Sequence, residues 1–434
     1  MQNARMNDTR SPASAGTPDW YAAGWPHVWL PYAQMKTASP PLAVARTDGC
    51  RIVLADGREL IDGIASWWTA CHGYNHPHIR DAVIRQAGVM PHVMLGGLAH
   101  EQALTLARRL ARLMPGGLTR VFFSESGSVA VEIALKMAIQ FWRNRGLGGR
   151  SRFVTFRGGY HGDTTGAMAV SDPHDSMHAL FAGVLPQHVN LALPADAEST
   201  GALEQALERH ADTLAGIIVE PLVQGAGGMR FHDAAVLRRL RALADRYELL
   251  LIFDEIFTGF GRTGTMFACQ QAEIAPDIVT LSKALTGGTL PLAATIATAR
   301  VYDAFWSDDP AHALMHGPTY IGNALACAAA NASLDLFERE PRLEQVRAIE
   351  AQLAHGLAPC RDLPRVIDVR VNGAIGVVEF DRIDDLDGLR RRLVGEGVFV
   401  RPFGSVVYLT PAFTIGEADL ATLTGAVVKV LHDL

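Results

Sequence analysis

The sequence predicts an α/β fold: a large, mostly parallel central sheet covered by helices, beside a smaller α+β unit drawn from both chain ends. Three observations predict it. Short apolar runs recur at residues 120–123, 152–156, 216–220, 249–254, 277–281 and 292–298. They are continuously apolar rather than alternating, the pattern of parallel strands covered on both faces by helices. Helical periodicity lies between them: within 129–143, Ala130, Ile133, Ala134, Met137, Ala138 and Phe141 share one face, and 234–246 repeats that spacing. Ligands of such a sheet sit at the carboxyl ends of its strands.

The flanks supply the third observation. Residues 40–65 carry two turn signals between short strands, as in an antiparallel meander, and beyond about residue 335 helices mix with strands at 374–380 and 406–409. The expected organisation is a disordered polar tail at 1–19, a small domain from 20–64 and 336–434, and a large ligand-binding domain at 65–335.

Composition narrows the function classes. With 39 Lys+Arg against 45 Asp+Glu, the 434-residue chain has no basic footprint for nucleic acid. No apolar run approaches the ~20 residues that cross a bilayer, and the first nineteen residues hold no apolar core of a signal peptide. Five scattered cysteines, none in a CxxC pair, argue against a disulfide framework or a zinc ribbon and for a reducing, cytoplasmic setting.

The chemistry is expected at strand ends. The apolar run 249–253 ends in Asp254 and Glu255, and a second strand, DIVTLS (277–282), delivers Lys283. A lysine and an aspartate so placed can face each other across a cleft; a structural ion pair is the plain alternative. Pyridoxal phosphate (PLP) gives both a role. The lysine would form a Schiff base with the cofactor and shuttle a proton. The aspartate would keep the pyridine nitrogen protonated, through a charge-assisted bond of about 1.5–3 kcal/mol. The turn SESGS (124–128) joins a strand to a strong helix and offers free N–H groups to a phosphate, ordinary N-capping by Ser126 or Ser128 being the alternative.

Two other patterns carry less. GFGRTG (259–264) matches GxGxxG after a strand, with Asp277 beyond it, which makes an NAD-dependent dehydrogenase the rival enzyme class. Its mid-chain place and the nearby Pro276 argue against that reading. His72, His76 and His78 are expected in a loop and not on a metal, because Pro77 would break any helix aligning them.

GGYHGDT (158–164), EPLVQGAGG (220–228), DEIFTGFGRTG (254–264) and the strand before Lys283 together resemble the class III aminotransferases of PLP fold type I. The likeness runs from about Trp25 to the C-terminus. WLPYAQM (29–35), DGIASWWTACHGYNHP (62–77), SGSVAVEIALKMA (126–138), MHGPTYIGNALACAAA (315–330) and VRPFG (400–404) sharpen it toward the branch that makes 7,8-diaminononanoate in biotin synthesis.

The resemblance implies PLP as cofactor and a role for each matching residue. Gly127 and Ser128 would bind the phosphate, Tyr160 would stack on the pyridine ring and border the substrate, Asp254 would pair with the ring nitrogen, and Lys283 would carry the Schiff base. Pro318 and Thr319 would come from a second subunit, so the active sites of a homodimer would be shared. Arg401 would grip the carboxylate of the keto-acid, a planar fork suited to bidentate pairing. Trp67 and Trp68 would wall its hydrocarbon chain, Tyr32 would stack on the donor's adenine, and Gly317 would let substrate approach the backbone. Ala226 stands where many ω-amino-acid aminotransferases carry an acidic gate residue, which favours the biotin-pathway branch. The implied reaction is a ping-pong transfer of an amino group from S-adenosylmethionine to 8-amino-7-oxononanoate. Another class III ω-amine or diamine aminotransferase is the near alternative, and lysine remains open as donor.

Overall fold

The structure is a computed structural model that describes residues 17–174, 178–181 and 183–434. Residues 1–16 of the expected tail lie outside the described residues, and a helix, Asp19–Gly24, begins at the tail's last residue.

The meander forms as expected: β1 (Val44–Asp48), β2 (Arg51–Leu54) and β3 (Glu59–Asp62) pair antiparallel. The central sheet contains β4 (Leu118–Ser124), β5 (Arg152–Phe156), β6 (Val189–Leu191), β7 (Leu214–Val219), β10 (Leu250–Asp254), β11 (Ile278–Leu281) and β12 (Ala293–Thr298); a short ribbon of β8 (Val223–Gln224) and β9 (Arg230–Phe231) stands apart. Its order is β4-β12-β11-β10-β7-β5-β6. All six expected strands are present, but β12 runs antiparallel to both β11 and β4. An uninterrupted apolar run records burial on both faces and not strand direction, so it reads the same for β12 as for its neighbours. β6, three residues long and only partly buried, has no such run to mark it.

Helix Gly127–Asn144 lies against this sheet with Ala130, Ile133, Ala134, Met137, Ala138 and Phe141 buried, the face its periodicity indicates. Ile133 and Phe141 are each fully covered, worth about 1.5–3 kcal/mol apiece. Near the C-terminus, β13 (Val366–Asn372), β14 (Ile375–Phe380) and β16 (Val406–Leu409) form an antiparallel sheet, while β15 (Val398–Phe399) pairs parallel with β3. That pairing brings the two ends of the chain into one sheet.

The histidine cluster differs from expectation. Pro77 does not break a helix; it opens one, Pro77–Val89, whose first turn holds His78. Proline suits that position because its missing N–H would be unpaired there anyway. His72 is buried, bonded to Ser333 Oγ at 3.1 Å and receiving the Arg342 Nε–H at 3.0 Å. The GFGRTG segment is a buried run of turns that opens no helix, so it lacks the N-terminus a dinucleotide would need. Asp277 instead clasps the sheet to its helices, accepting from Leu251 N–H and pairing with Arg241 and Arg300.

Candidate active site

Five strands of the central sheet end at one cavity. The turn after β4 brings Ser126, Gly127 and Ser128; the loop after β5 brings Tyr160, His161 and Gly162; β7 is followed by Glu220, β10 ends on Asp254, and β11 leads to Ser282 and Lys283. Because these strands run the same way, their carboxyl ends share one edge, and ligands bind at that edge.

Asp254 is 5% exposed and held on both oxygens. Its Oδ2 lies 2.7 Å from His161 Nδ1, and its Oδ1 accepts from Ile256 N–H (3.1 Å) and Thr280 Oγ1 (3.3 Å). Burial works against a charged His161, but the bond to Asp254 and the charges of Asp254 and Glu220 outweigh it and raise its pKa. Glu220 takes N–H bonds from Tyr160 and Gly225, yet burial pushes its carboxyl up to about 7. Lys283 faces the cavity, its Nζ 5.0 Å from the centre of the Trp68 ring; enclosure by protein lowers its pKa, against the pull of Asp254, Glu220 and Asp163.

The helix Gly127–Asn144 is capped by Ser126, whose Oγ accepts from Val129 N–H at 3.3 Å. The capping reading therefore holds for Ser126, while the first-turn N–H groups of Gly127 and Ser128 have no acceptor within the helix. Ser128 Oγ accepts from Asp163 N–H at 3.1 Å, and a methyl group on Gly162 (φ 125°) would overlap that hydroxyl, so glycine is required for the approach.

Above this floor the rings of Tyr32, Trp67 and Trp68 gather. Tyr32 and Trp67 meet edge to face at 6.3 Å, and Trp68 packs on Phe257 at 4.7 Å. The Tyr32 hydroxyl donates to Asp163 and lies 3.2 Å from that of Tyr160, whose ring stacks on His178. The Arg401 guanidinium sits 4.9 Å over the Trp67 ring, and among the described residues it enters no ion pair. Burial and the neighbouring Arg390 depress its pKa. Tyr32, Trp67, Trp68 and Lys283 all have left-handed backbone, with φ of 52°, 57°, 69° and 39°. Outside glycine this costs about 1–2 kcal/mol per residue and concentrates at functional sites.

Tyr32, Trp67 and Arg401 stand outside the lining of this cavity, and so do Gly317, Pro318 and Thr319 of this chain. The segment of the last three is anchored instead by Lys136 Nζ, which donates to Met315 O at 2.6 Å. Arg262 is 1% exposed and donates to the carbonyls of Ala374 and Pro411, a brace between loops. Four residues of the site carried no assigned role in the sequence: His161, Asp163, His178 and Glu220. Glu220 bears the same mark as Asp254, a charge directly after a buried apolar strand, and could have been found by it.

Residues 32–431 match the class-III aminotransferase family. The chain belongs to the class III aminotransferases. As such it is 42% identical over 94% of its length to adenosylmethionine-8-amino-7-oxononanoate aminotransferase of Buchnera aphidicola subsp. Acyrthosiphon pisum, covering 96% of that chain. It is 45% identical to the enzyme of that name from Mycobacterium leprae, over 93% of this chain and 94% of that one. Among solved structures, the Methanocaldococcus jannaschii enzyme of that name superposes with a TM-score of 0.90 at 32% identity, covering 95% and 98% of the two chains. A PLP-bound amine transaminase from an uncultivated Pseudomonas species gives 0.87 at 33%, covering 94% and 98%.

The cavity fits PLP on its own terms. It combines a lysine amine, a buried aspartate, first-turn N–H groups at a helix start, and a buried Trp68 indole N–H without an acceptor among the described residues.

Proposed function

We infer that this PLP-dependent aminotransferase transfers the amino group of S-adenosylmethionine to 8-amino-7-oxononanoate and so forms 7,8-diaminononanoate for biotin synthesis. The observation that carries the substrate choice is the Arg401 guanidinium, in no ion pair among the described residues and set over Trp67 of the aromatic wall, together with alanine at position 226 of the cavity. A keto-acid with a long apolar chain and a terminal carboxylate matches that order of surfaces. An acidic gate residue, which would pair with such an arginine, has no place at Ala226.

PLP, when bound, supplies a ring that takes up the electron pair released at the amino-bearing carbon. The chain does the rest. Lys283 would hold the cofactor and move the proton at that carbon, its lowered pKa suiting it to act as a base. Asp254, oriented by His161 and Thr280, would hold a proton on the pyridine nitrogen. The N–H groups of Gly127 and Ser128 would bind the phosphate, and Tyr160 would cover the ring. Trp67 and Trp68 would wall the keto-acid's hydrocarbon chain, Tyr32 would stack on the donor's adenine, and Arg401 would grip the carboxylate.

The proposal includes a homodimer in which Gly317, Pro318 and Thr319 reach the partner's site; their position away from this chain's own cavity supports it. It also includes a small unit from 20–64 and 336–434 around a PLP-binding unit at 65–335, supported by the pairing of β15 with β3. A reducing cytoplasmic setting completes it, supported by five unpaired cysteines. No helix among the described residues is long and apolar enough to cross a membrane.

Purified enzyme given both substrates is expected to form 7,8-diaminononanoate. No such product, with turnover of a diamine against pyruvate or 2-oxoglutarate, would replace this reading by the ω-amine one. Replacing S-adenosylmethionine by lysine in the donor half-reaction decides the donor.

A further inference from the structure

Trp67 and Trp68 stand on a backbone that a chain does not adopt unaided. Ala65, Ser66, Trp67 and Trp68 have φ of 44°, 47°, 57° and 69°. N–H bonds from Trp68 to Ile64 O (2.8 Å) and from Thr69 to Ala65 O (2.9 Å) close one left-handed helical turn. None of the four is glycine or asparagine, the residues that tolerate this conformation, so surrounding structure must impose it.

The imposing group is Asp62, the last residue of β3 and 2% exposed. Its Oδ1 accepts from Ile64 N–H and its Oδ2 from Ser66 N–H, each at 2.9 Å. The Tyr74 hydroxyl donates to Oδ2 at 2.5 Å and lies 2.5 Å from Ser66 Oγ. Among the described residues no cation pairs with this carboxylate; its partners belong to the turn itself and to Tyr74. Asp62 is also in register with Phe399 of β15, two residues before Arg401. On the other side the turn packs against the loop after Lys283, where a methyl group on Gly288 would come within 2.9 Å of Ala70 N.

We propose that Asp62, with Tyr74 and Ser66, is a positioning device for substrate recognition: it holds the left-handed turn that aims Trp67 at Arg401. The proposal rests on the reading of Trp67 and Arg401 as the keto-acid site. It makes these three residues determinants of acceptor binding although none lines the cofactor cavity.

The test compares holoenzymes carrying Tyr74→Phe, Tyr74→Phe with Ser66→Gly, and Trp67→Ala. Tyr74→Phe removes one hydroxyl, and KM for 8-amino-7-oxononanoate is expected to rise about tenfold, as for loss of one bond to a charged group. The cofactor absorbance and the donor half-reaction should stay as in the wild type. Adding Ser66→Gly should restore KM to within about threefold, because glycine takes a positive φ without being held. An unchanged KM in Tyr74→Phe, with a raised KM in Trp67→Ala, overturns the device and leaves the substrate site standing. So does a general loss of cofactor binding in Tyr74→Phe that glycine does not rescue, which would mark a purely structural role. An unchanged KM in Trp67→Ala shows that the substrate reading itself has failed, and the proposal falls with it.

Discussion

The floor of the site and its wall are built by different means. Lys283, Asp254, Glu220 and the Gly127 turn all stand at carboxyl ends of parallel strands, where the sheet's register fixes their separation. Tyr32, Trp67, Trp68 and Arg401 stand on segments from outside that sheet, three of them on left-handed backbone, a conformation that the floor shares at Lys283. Chemistry common to a cofactor needs a rigid frame that regular structure supplies. On the reading proposed above, selection of one substrate uses surfaces at angles regular structure does not offer, set by irregular backbone that side-chain bonds hold.

Substitutions can break that division. The largest effect is expected at the floor: Lys283→Ala should lower turnover by about 10⁴, the upper range for a proton-transfer group, and should do so in both half-reactions. Stopped-flow traces with each substrate alone check it. Arg401→Ala should behave otherwise, raising KM for the keto-acid about 30-fold or more, as for loss of one member of a charge pair, with the donor half-reaction unaltered. Equal losses in both half-reactions would merge wall and floor. Asp254→Asn should slow both half-reactions alike, by about 10–10², the equivalent of one charge-assisted bond.

The smallest effect is one of stability. Glu220 has its pKa raised from 4.5 to about 7 by burial, so the folded protein keeps a proton that the unfolded chain loses. Its contribution is full below its ordinary pKa and is lost as pH rises through about 7. Glu220→Gln keeps the neutral form at every pH, so denaturant midpoints measured between about pH 5 and 7.5 should fall less steeply than in wild type, by on the order of 1 kcal/mol. An identical slope would place the proton elsewhere.

The same contrast explains what was legible in the sequence. The floor was: apolar runs ending in Asp254 and before Lys283, and a Ser/Gly turn before a periodic helix, mark strand ends by composition alone. Glu220 bore that mark and carried no assigned role. The antiparallel course of β12 was not legible, because burial on both faces leaves the same apolar run in either direction. Trp67, Tyr32 and Arg401 were assigned only through the family resemblance, since nothing in local spacing brings residues 32, 67 and 401 together. His161 lies beside Tyr160 in GGYHGDT (158–164), yet its bond to Asp254 exists only once β5 and β10 share an edge.

The most direct test is chemical. The holoenzyme reduced with borohydride, digested and mapped by mass spectrometry should carry the pyridoxyl group on the peptide containing Lys283 and on no other. A label on a different lysine, such as Lys136, or no covalent label in a protein that turns over substrate, would contradict the account at its base.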